Sequence, residues 1–511
     1  MAASRARVLL ILPSPEGGRR MAQTRATRIV ATVGPATMKP AVLRAMVKAG
    51  TDVFRFNMSH GSHAEHGEAI HAVRAAAARA GRPVGILVDL QGPKVRTGLN
   101  ESGGRLYLRQ GATLELSYAG SGRHAERSRA GRIVVGSRKL LRELKRGDQV
   151  LLDDGRMTLE VVDRPGDSLT ARVARGGWLK ERAGVNVPGP LEGFRAPTTK
   201  DRRDAEFAVR QGADFVALSF VQTAGDIRRV RRLLDRHVRR LGGDPPLLIA
   251  KLEKPAALNH LDEILDVAGG VMVARGDLGV ELSLEKVPLW QKEILHRARA
   301  RGIATITATE MLHSMVESAS PTRAEVSDIA NAILDGTDSL LVSAETAIGK
   351  HPVETIRILD RVAAEVDRAW QARDAEEVDR EYSLATFAAD PVRAVARAAV
   401  DLAVGAGARW IIVFTLSGRT VRYVTQHRPP MPVMALTPHE ATRRRLTLSW
   451  NTHSLILKRS RNVDEMMRRG LELLRRRKLV RKGDMLVLAA GTADLPAATN
   501  LLRLVKVGSR G

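Results

Sequence analysis

Eight short apolar runs, alternating with helix-like segments, constrain the fold of this 511-residue chain most strongly. The runs are RIVATV (28–33), DVFRFN (52–57), GILVDL (85–90), DFVALSF (214–220), LLIAKLE (247–253), GVMVAR (270–275), IATITAT (303–309) and DSLLVSAE (338–345). Eight βα units favour a closed parallel barrel over an open sheet. Most runs end in a polar or charged residue, and the carboxyl ends of barrel strands surround the active site. The pattern predicts an α/β protein with a (β/α)8 TIM barrel whose chemistry lies at that end.

The repeats are interrupted once and are followed by a different pattern. Residues 98–196 contain alternating stretches such as RLYLRQGATLEL and QVLLDDGRMTLEVV, in which Asp-Gly between strands indicates a hairpin. We expect a small inserted β-rich domain that acts as a lid over the active site. Further strand-like runs predict a separate C-terminal α/β domain; they lie at 409–415, 432–437, 452–457, 485–491 and 503–508.

These patterns give the predicted domain boundaries. The barrel comprises 25–97 and 197–370, the inserted domain 98–196 and the C-terminal domain 371–511. Residues 1–24 are predicted to be a disordered extension, or to reflect a start codon upstream of a true start at Met21. Their apolar stretch VLLIL is short for the core of a signal peptide.

The composition excludes several classes of protein. The chain has no cysteine, which rules out disulfide scaffolds and thiolate chemistry and suits a reducing, cytoplasmic location. No stretch of about 18 apolar residues predicts a membrane span. The net charge of +26 permits nucleic-acid binding, but the basic residues spread over amphipathic helix patterns and only 3% of residues are aromatic. We therefore expect the charge to attract anionic substrates rather than nucleic acid.

Two neighbouring runs carry the strongest chemical pattern. Alternation places Lys251 and Glu253 on one face of a strand, where the pair is costly unless it binds something or forms an internal salt bridge. The next strand ends in Arg275-Gly276-Asp277, whose free amides can hold an anion and whose carboxylate suits Mg²⁺. Metal, fixed cation and anion-binding amides together are what phosphoryl transfer requires.

Other strand ends offer weaker candidates. Arg55, Asn57 and Ser59 alternate onto one side near Asp89 and can bound an anion or a small cation. Thr309 falls at a strand tip, where a structural role is the alternative. The segment Thr322-x-x-Glu325 predicts a helix that begins with a capping box.

The motifs, in their order along 27–370, resemble those of pyruvate kinases. They are ATVGPAT, FRFNMSHG, VDLQGPKVRTG, LLDDG, GVNVPG, IAKLE, VMVARGDLGVEL, TATEML, PTRAEVSDIANAILDG and SAETAIGKHP. The later segment FTLSGRTVRYVTQHRPP resembles the family's C-terminal domain. The resemblance implies a (β/α)8 barrel, an inserted small β-barrel domain and a C-terminal α/β domain.

The same resemblance implies an activity and its partners. The family transfers the phosphoryl group of phosphoenolpyruvate to ADP, giving ATP and enolpyruvate, which is protonated to pyruvate. Mg²⁺ or Mn²⁺ is the implied cofactor, and a homotetramer is the implied assembly, with the PTRAE helix near subunit contacts. A lyase on a similar barrel, a decayed kinase-like protein and a basic nucleic-acid-binding protein are the alternatives.

The resemblance also assigns roles to residues at matching positions. Glu253 and Asp277 are expected to bind Mg²⁺, and Lys251 to lie against the moving phosphoryl group. Arg55 is expected to contact the phosphoryl oxygens, and the amides around Ala274, Gly276 and Asp277 are expected to bind the substrate carboxylate. Thr309 is expected to lie beside the enolate carbon. The residues expected near the nucleotide are Thr32, Asn57, His60 and Arg96.

The chain departs from the family pattern in the inserted and C-terminal domains. Ala183 follows Arg182 where the family has lysine before G-V-N, which puts one nucleotide contact in doubt. The possible effector phosphate loop comprises Thr415, Ser417, Gly418, Arg419 and Thr420, with Leu416 in place of the family's lysine. Helix-start amides there can hold a phosphate, but losing that lysine favours a different effector, or none, over fructose bisphosphate.

The segment LVDLQGPKVRTG bears on monovalent cations. Many members have a glutamate after G-P, and in them the residues at the positions of Asn57, Ser59 and Asp89 would hold K⁺. Here Leu90, Gln91 and Lys94 match members that need no K⁺, although Thr97 resembles the K⁺-dependent type. We predict that the ammonium of Lys94 replaces the ion near the carboxylate cluster; a surface lysine paired with Asp89 is the alternative.

Overall fold

The computed structural model describes residues 25–118, 120, 126–189, 196–371, 390–491 and 499–508. The predicted extension 1–24 lies outside the described residues.

Strands and helices alternate along most of the described chain. The strands are β1 (Arg28–Val33), β2 (Val53–Asn57), β3 (Gly85–Leu90), β4 (Val95–Arg96), β5 (Arg105–Leu108), β6 (Thr113–Tyr118), β7 (Arg132–Val135), β8 (Gln149–Leu152), β9 (Met157–Asp163), β10 (Leu169–Arg175), β11 (Gly177–Lys180), β12 (Gly184–Asn186), β13 (Phe215–Leu218), β14 (Leu247–Leu252), β15 (Gly270–Ala274), β16 (Ala304–Ala308), β17 (Ser339–Val342), β18 (Trp410–Phe414), β19 (Val433–Thr437), β20 (Thr452–Ile456), β21 (Met485–Ala490) and β22 (Leu501–Lys506). The helices are α1 (Pro40–Ala49), α2 (His63–Ala80), α3 (Arg138–Glu143), α4 (Thr199–Arg210), α5 (Ala224–Leu241), α6 (Pro255–Asn259), α7 (Leu261–Val267), α8 (Arg275–Glu281), α9 (Val287–Ala300), α10 (Arg323–Leu334), α11 (Ala344–Ala347), α12 (Pro352–Gln371), α13 (Pro391–Gly405), α14 (Arg419–Thr425), α15 (Glu440–Arg445) and α16 (Val463–Arg476), with short 3-10 turns at Leu284–Lys286, His313–Val316 and Leu446–Leu448.

The eight predicted runs form one closed parallel barrel, in the order β1-β17-β16-β15-β14-β13-β3-β2. Their residues are buried on both faces, because helices cover the outside of the barrel and side chains fill its interior. The predicted (β/α)8 barrel is confirmed. Five strands end earlier than the apolar runs, and in β13 and β16 the reason is that Phe220 and Thr309 adopt positive φ angles of 56° and 76° and turn the chain.

Helix α10 begins as its sequence predicts. The hydroxyl of Thr322 accepts a hydrogen bond from the Glu325 amide, and the Glu325 carboxylate accepts one from the Thr322 amide. The predicted capping box is therefore confirmed, and it fixes the start of this helix on the barrel surface.

The chain between β3 and β13 forms a β-rich unit, called the lid below (β4 to β12). Its main sheet has seven strands in the order β4-β12-β8-β9-β10-β6-β7. The two edge strands meet through the bridge between Thr97 and Val135 and through a 2.9 Å bond from the Gly136 amide to the Arg96 carbonyl, so the sheet closes on itself. The predicted hairpin is present, with Asp153 and the next two residues at positive φ between β8 and β9.

The C-terminal unit is a five-stranded sheet in the order β20-β19-β18-β21-β22, with only β22 antiparallel to its neighbour. It packs against the amino end of the barrel. Arg28 Nε donates a 2.9 Å bond to the Ser449 carbonyl, and Arg444 Nε donates a 2.7 Å bond to Asp214 Oδ1. Within the described part of the chain, no helix is long and apolar enough to cross a membrane.

Candidate active site

Lys251 is the centre of a buried polar cluster at the carboxyl end of the barrel. Its Nζ lies 2.8 Å from Glu253 Oε1 and 3.3 Å from Asp89 Oδ1, and it donates a 2.7 Å hydrogen bond to Ser219 Oγ. Burial alone would lower the pKa of Lys251, but the carboxylates of Asp89 and Glu253 outweigh it and raise that pKa. Lys251 therefore holds a fixed positive charge where little water reaches.

Asp89 joins this lysine to Arg55. The Arg55 Nε donates a 2.8 Å bond to Asp89 Oδ2, Nη2 lies 2.7 Å from the same oxygen, and Nη1 donates a 3.1 Å bond to Thr32 Oγ1. Burial would raise the pKa of Asp89, but the charges of Lys251 and Arg55 lower it below its usual range. An ionised Asp89 thus orients both cations toward the mouth of the barrel.

Glu253 and Asp277, called the metal pair below because both are predicted to bind the cation, lie close enough for the charge of one to act on the other. Burial raises the pKa of Glu253 and the nearby Asp277 charge raises it further, against the opposing effect of Lys251. The amide of Phe220 donates a 2.7 Å bond to Glu253 Oε2, which fixes this carboxylate in place. A divalent cation held by hard carboxylate oxygens would relieve the repulsion between the two acids, so the donor set fits Mg²⁺ or Mn²⁺.

The metal pair does not form a complete protein cage. Among the residues that the structure describes, no group of three or more His, Asp or Glu side chains is arranged to hold a metal ion. Mg²⁺ usually keeps several waters and binds through one or two carboxylates together with substrate oxygens. A two-carboxylate site matches that preference.

Helix α8 is fixed at its first turn by contacts that the sequence pattern did not indicate. The guanidinium of Arg275 makes two 2.7 Å bonds to the carboxylate of Asp328 on α10 and a 2.8 Å bond to the Thr309 carbonyl. The Gly276 amide donates a 2.7 Å bond to Thr309 Oγ1. One of the amides expected to face the substrate carboxylate is therefore bonded to Thr309 in this structure.

Thr309 sits in a strained backbone conformation. Its φ of 76° lies in the left-handed region, which is unusual for a β-branched residue, and Glu310 follows with a φ of 55°. Such strain costs about 1–3 kcal/mol and persists where the surroundings over-determine it, commonly at active sites. In this conformation the Thr309 hydroxyl meets the Gly276 amide in the first turn of α8.

Lys94 is paired with Asp277 across the entrance of the site. Its Nζ lies 3.9 Å from Asp277 Oδ1, whereas Asp89 is held by Arg55 and Lys251. The alternative pairing of Lys94 with Asp89 is therefore wrong. The lysine does lie near the carboxylate cluster, as its proposed role requires.

His60 and Arg96, two of the residues expected near the nucleotide, lie close to Lys94 and Arg55. The pKa of His60 is lowered by burial and then by Arg96, Lys94 and Arg55, so these four side chains share one basic region. Arg96 belongs to lid strand β4, and its Nη1 donates a 3.2 Å bond to the Arg182 carbonyl within the lid.

The oxygens expected around a monovalent cation already have local partners. Asn57 Oδ1 accepts a 3.1 Å bond from the Ser59 amide, and the Leu90 carbonyl accepts a 2.7 Å bond from Ser219 Oγ. Ser219 was not predicted as a site residue. Its only sequence signal is its position at the end of an apolar run, so the structure alone shows that it joins Lys251 to the end of β3.

The predicted effector loop forms a compact turn in the C-terminal unit. Thr415 Oγ1 accepts a 2.9 Å bond from the Gly418 amide, and Ser417 Oγ accepts a 3.4 Å bond from the Arg419 amide. Gly418 adopts a φ of 82°, and the hydroxyl of Thr420 lies 2.6 Å from that of Thr499. The loop stands far from Lys251, on a different sheet.

Comparisons with known proteins identify the family of this chain. The sequence model of the pyruvate kinase barrel domain matches residues 24–356, and that of the pyruvate kinase alpha/beta domain matches residues 393–505. A pyruvate kinase of Agrobacterium vitis is 40% identical over 95% of this chain and 99% of its own length, and one of Geobacillus stearothermophilus is 40% identical over 94% and 80%. The solved structure of a pyruvate kinase from Cryptosporidium parvum matches with a TM-score of 0.86 and 30% identity, over 95% of this chain and 97% of that one. The chain therefore belongs to the pyruvate kinase family.

Proposed function

We propose that this enzyme transfers the phosphoryl group of phosphoenolpyruvate to ADP and releases ATP and pyruvate, with Mg²⁺ or Mn²⁺ as cofactor. The observation that carries the proposal is the buried Lys251, held between Asp89 and Glu253 at the carboxyl end of the barrel beneath the lid. Glu253 and Asp277 would hold the divalent cation, which supplies further positive charge to phosphoryl and enolate oxygens.

The protein's own charges suit the transfer step. The bond from phosphorus to the enol oxygen breaks while a bond to a terminal oxygen of ADP forms, so negative charge spreads over the moving group. Lys251 and Arg55 place fixed positive charges beside it, and Asp89 keeps both in position. The hydroxyl of Thr309 would orient the proton donor for the enolate carbon. Thr32, Asn57, His60 and Arg96 are proposed to contact the nucleotide.

We also propose that the enzyme needs no K⁺. The ammonium of Lys94, 3.9 Å from Asp277, supplies a fixed positive charge near the carboxylates. Asp89, one of the expected K⁺ ligands, is already compensated by Arg55 and Lys251. The cytoplasmic location and the homotetrameric assembly stay predictions. The same holds for regulation, where we predict a different effector, or none, in place of fructose bisphosphate.

A coupled assay for pyruvate tests the proposal. Phosphoenolpyruvate, ADP and Mg²⁺ should give pyruvate and ATP in equal amounts, with the same rate in Na⁺ and K⁺ buffers. Folded protein that gives no pyruvate would contradict the activity. Binding of arbitrary DNA that weakens steeply with salt would instead support the nucleic-acid alternative.

A further inference from the structure

Lys254 lies at the junction between the barrel and the lid. It follows Glu253 at the end of β14, and its Nζ donates a 3.2 Å bond to the carbonyl of Val187, just beyond lid strand β12. The same Nζ forms an ion pair with Glu281, the last residue of α8. The side chains of Lys254 and Glu281 are 10% and 0% exposed, so this pair is shielded from water.

Glu281 is paired with Lys254 at this junction. Burial raises the pKa of Glu281, while the charge of Lys254 opposes that shift by stabilising the ionised carboxylate. Glu281 is four residues after Asp277, one turn along the same short helix. A displacement of Glu281 would therefore also displace Asp277.

The lid and the chain leading into it approach α8 at two further points. A Cβ atom built on Gly155, at the tip of the β8–β9 hairpin, would lie 3.5 Å from Val280 Cγ1. Lys94, which leads into β4, lies 3.9 Å from Asp277. The lid thus lies against α8, the helix that carries Asp277. Lys254 directly follows Glu253, the other proposed metal ligand.

We propose that Lys254 and Glu281, called the latch, are positioning residues that hold the lid against α8 through the Val187 carbonyl and so fix Glu253 and Asp277 for the reaction. The inference rests on the proposed function. No member of the latch is assigned a contact with substrate. Their effect is indirect, because a small misplacement of groups that stabilise the transition state is costly in rate.

Kinetics of latch variants test this inference. Lys254→Met and Glu281→Gln should lower kcat by about tenfold or more, while the dissociation constant of phosphoenolpyruvate, measured without ADP, changes by less than about threefold. Lys254→Arg keeps a charge and donors at the same place and should restore kcat to within about threefold. Wild-type kcat in Lys254→Met would overturn the latch.

The double variant Lys254→Met/Glu281→Gln separates positioning from simple charge compensation. Removing both partners leaves no uncompensated buried charge, so the midpoint of thermal unfolding should return toward that of the wild type. The latch predicts that kcat nevertheless stays low, because the connection to the lid is still missing. A double variant with wild-type kcat would show a structural role only and would overturn the proposal.

Hydrogen exchange gives a readout that does not depend on activity. In Lys254→Met without substrates, the amides of β12 should exchange faster than in the wild type, while those of barrel strand β16 stay unchanged. Lys350→Met is the matched control, because its pair with Glu317 is exposed and lies outside the lid. Unchanged exchange at β12 would overturn the latch, whereas an inactive wild type would contradict only the proposed function.

Discussion

Lys94 Nζ and Asp277 Oδ1 lie 3.9 Å apart, so an ion pair joins the chain leading into the lid to helix α8. The two side chains are 25% and 28% exposed, which leaves the pair partly screened by water. A charge at position 94 therefore acts directly on one of the two proposed metal ligands. This relationship gives the K⁺ prediction a specific structural test.

Replacing Lys94 by glutamate should make the rate respond to K⁺. The change removes the fixed cation and adds a carboxylate near Asp277, so a bound monovalent ion becomes useful; we expect K⁺ to raise kcat by about tenfold in the variant and by less than about twofold in the wild type. Pyruvate formation is measured in KCl and in NaCl at equal ionic strength. Lys350→Glu is the control, and a variant indifferent to K⁺ would refute the role of Lys94.

Replacing Lys251 by methionine should stop phosphoryl transfer while substrate still binds. The positive charge acts mainly on the transition state, so kcat should fall by about a hundredfold or more and the dissociation constant of phosphoenolpyruvate should change little. Asp89 and Glu253 lose a partner, which should lower the free energy of unfolding by about 3–5 kcal/mol. Turnover near the wild-type rate in folded variant would disprove the assignment.

Replacing Glu253 by glutamine should chiefly weaken activation by Mg²⁺. The amide keeps the shape of the side chain but removes the charge that would bind the cation, so the Mg²⁺ concentration at half-maximal rate should rise by about tenfold or more. The rate is measured over a Mg²⁺ series at saturating substrates. Glu317→Gln, at an exposed pair, serves as the control, and an unchanged Mg²⁺ dependence would count against Glu253 as a ligand.

At position 309, a glycine variant should be more stable than an alanine variant, which is the reverse of the usual order of stability. Because φ is 76° at this position, Thr309→Gly should be more stable than Thr309→Ala by about 1 kcal/mol. Both variants lose the hydroxyl that accepts from Gly276, so both should lose activity alike. Denaturant unfolding measures the difference, and an alanine variant as stable as the glycine one would show that the backbone is unstrained.

The stability of the C-terminal unit should depend on pH through His453. Burial, followed by the charge of Arg28, lowers the pKa of His453 to about 4, below the unfolded value of about 6.5. Between these pH values His453 binds a proton in the unfolded chain but not in the folded one. The free energy of unfolding therefore decreases as the pH falls from 6.5 toward 4. From pH 7 to pH 5 the wild type should lose about 1–2 kcal/mol more than His453→Gln, in urea unfolding at each pH. Equal losses would contradict a buried neutral histidine.

Local pattern was enough for much of the fold. The sequence was sufficient to predict the eight barrel strands, the hairpin turn at Gly155 and the capping box of Thr322 and Glu325. Each depends on the spacing of apolar residues, on turn residues or on helix caps, which act between residues close together in the chain. The same local patterns predicted that Lys251, Glu253 and Asp277 lie at the carboxyl ends of strands. Their detailed roles came from family resemblance and await the tests above.

By itself, then, the sequence determined which segments become strands and which charged residues meet at one end of the barrel. Only the tertiary structure decided their partners: Lys94 with Asp277, Arg275 with Asp328, and Lys254 with Glu281. Each pair joins residues on separate elements. Their contact depends on the register of the closed barrel and on how the lid folds back over it, and no local pattern contains that information.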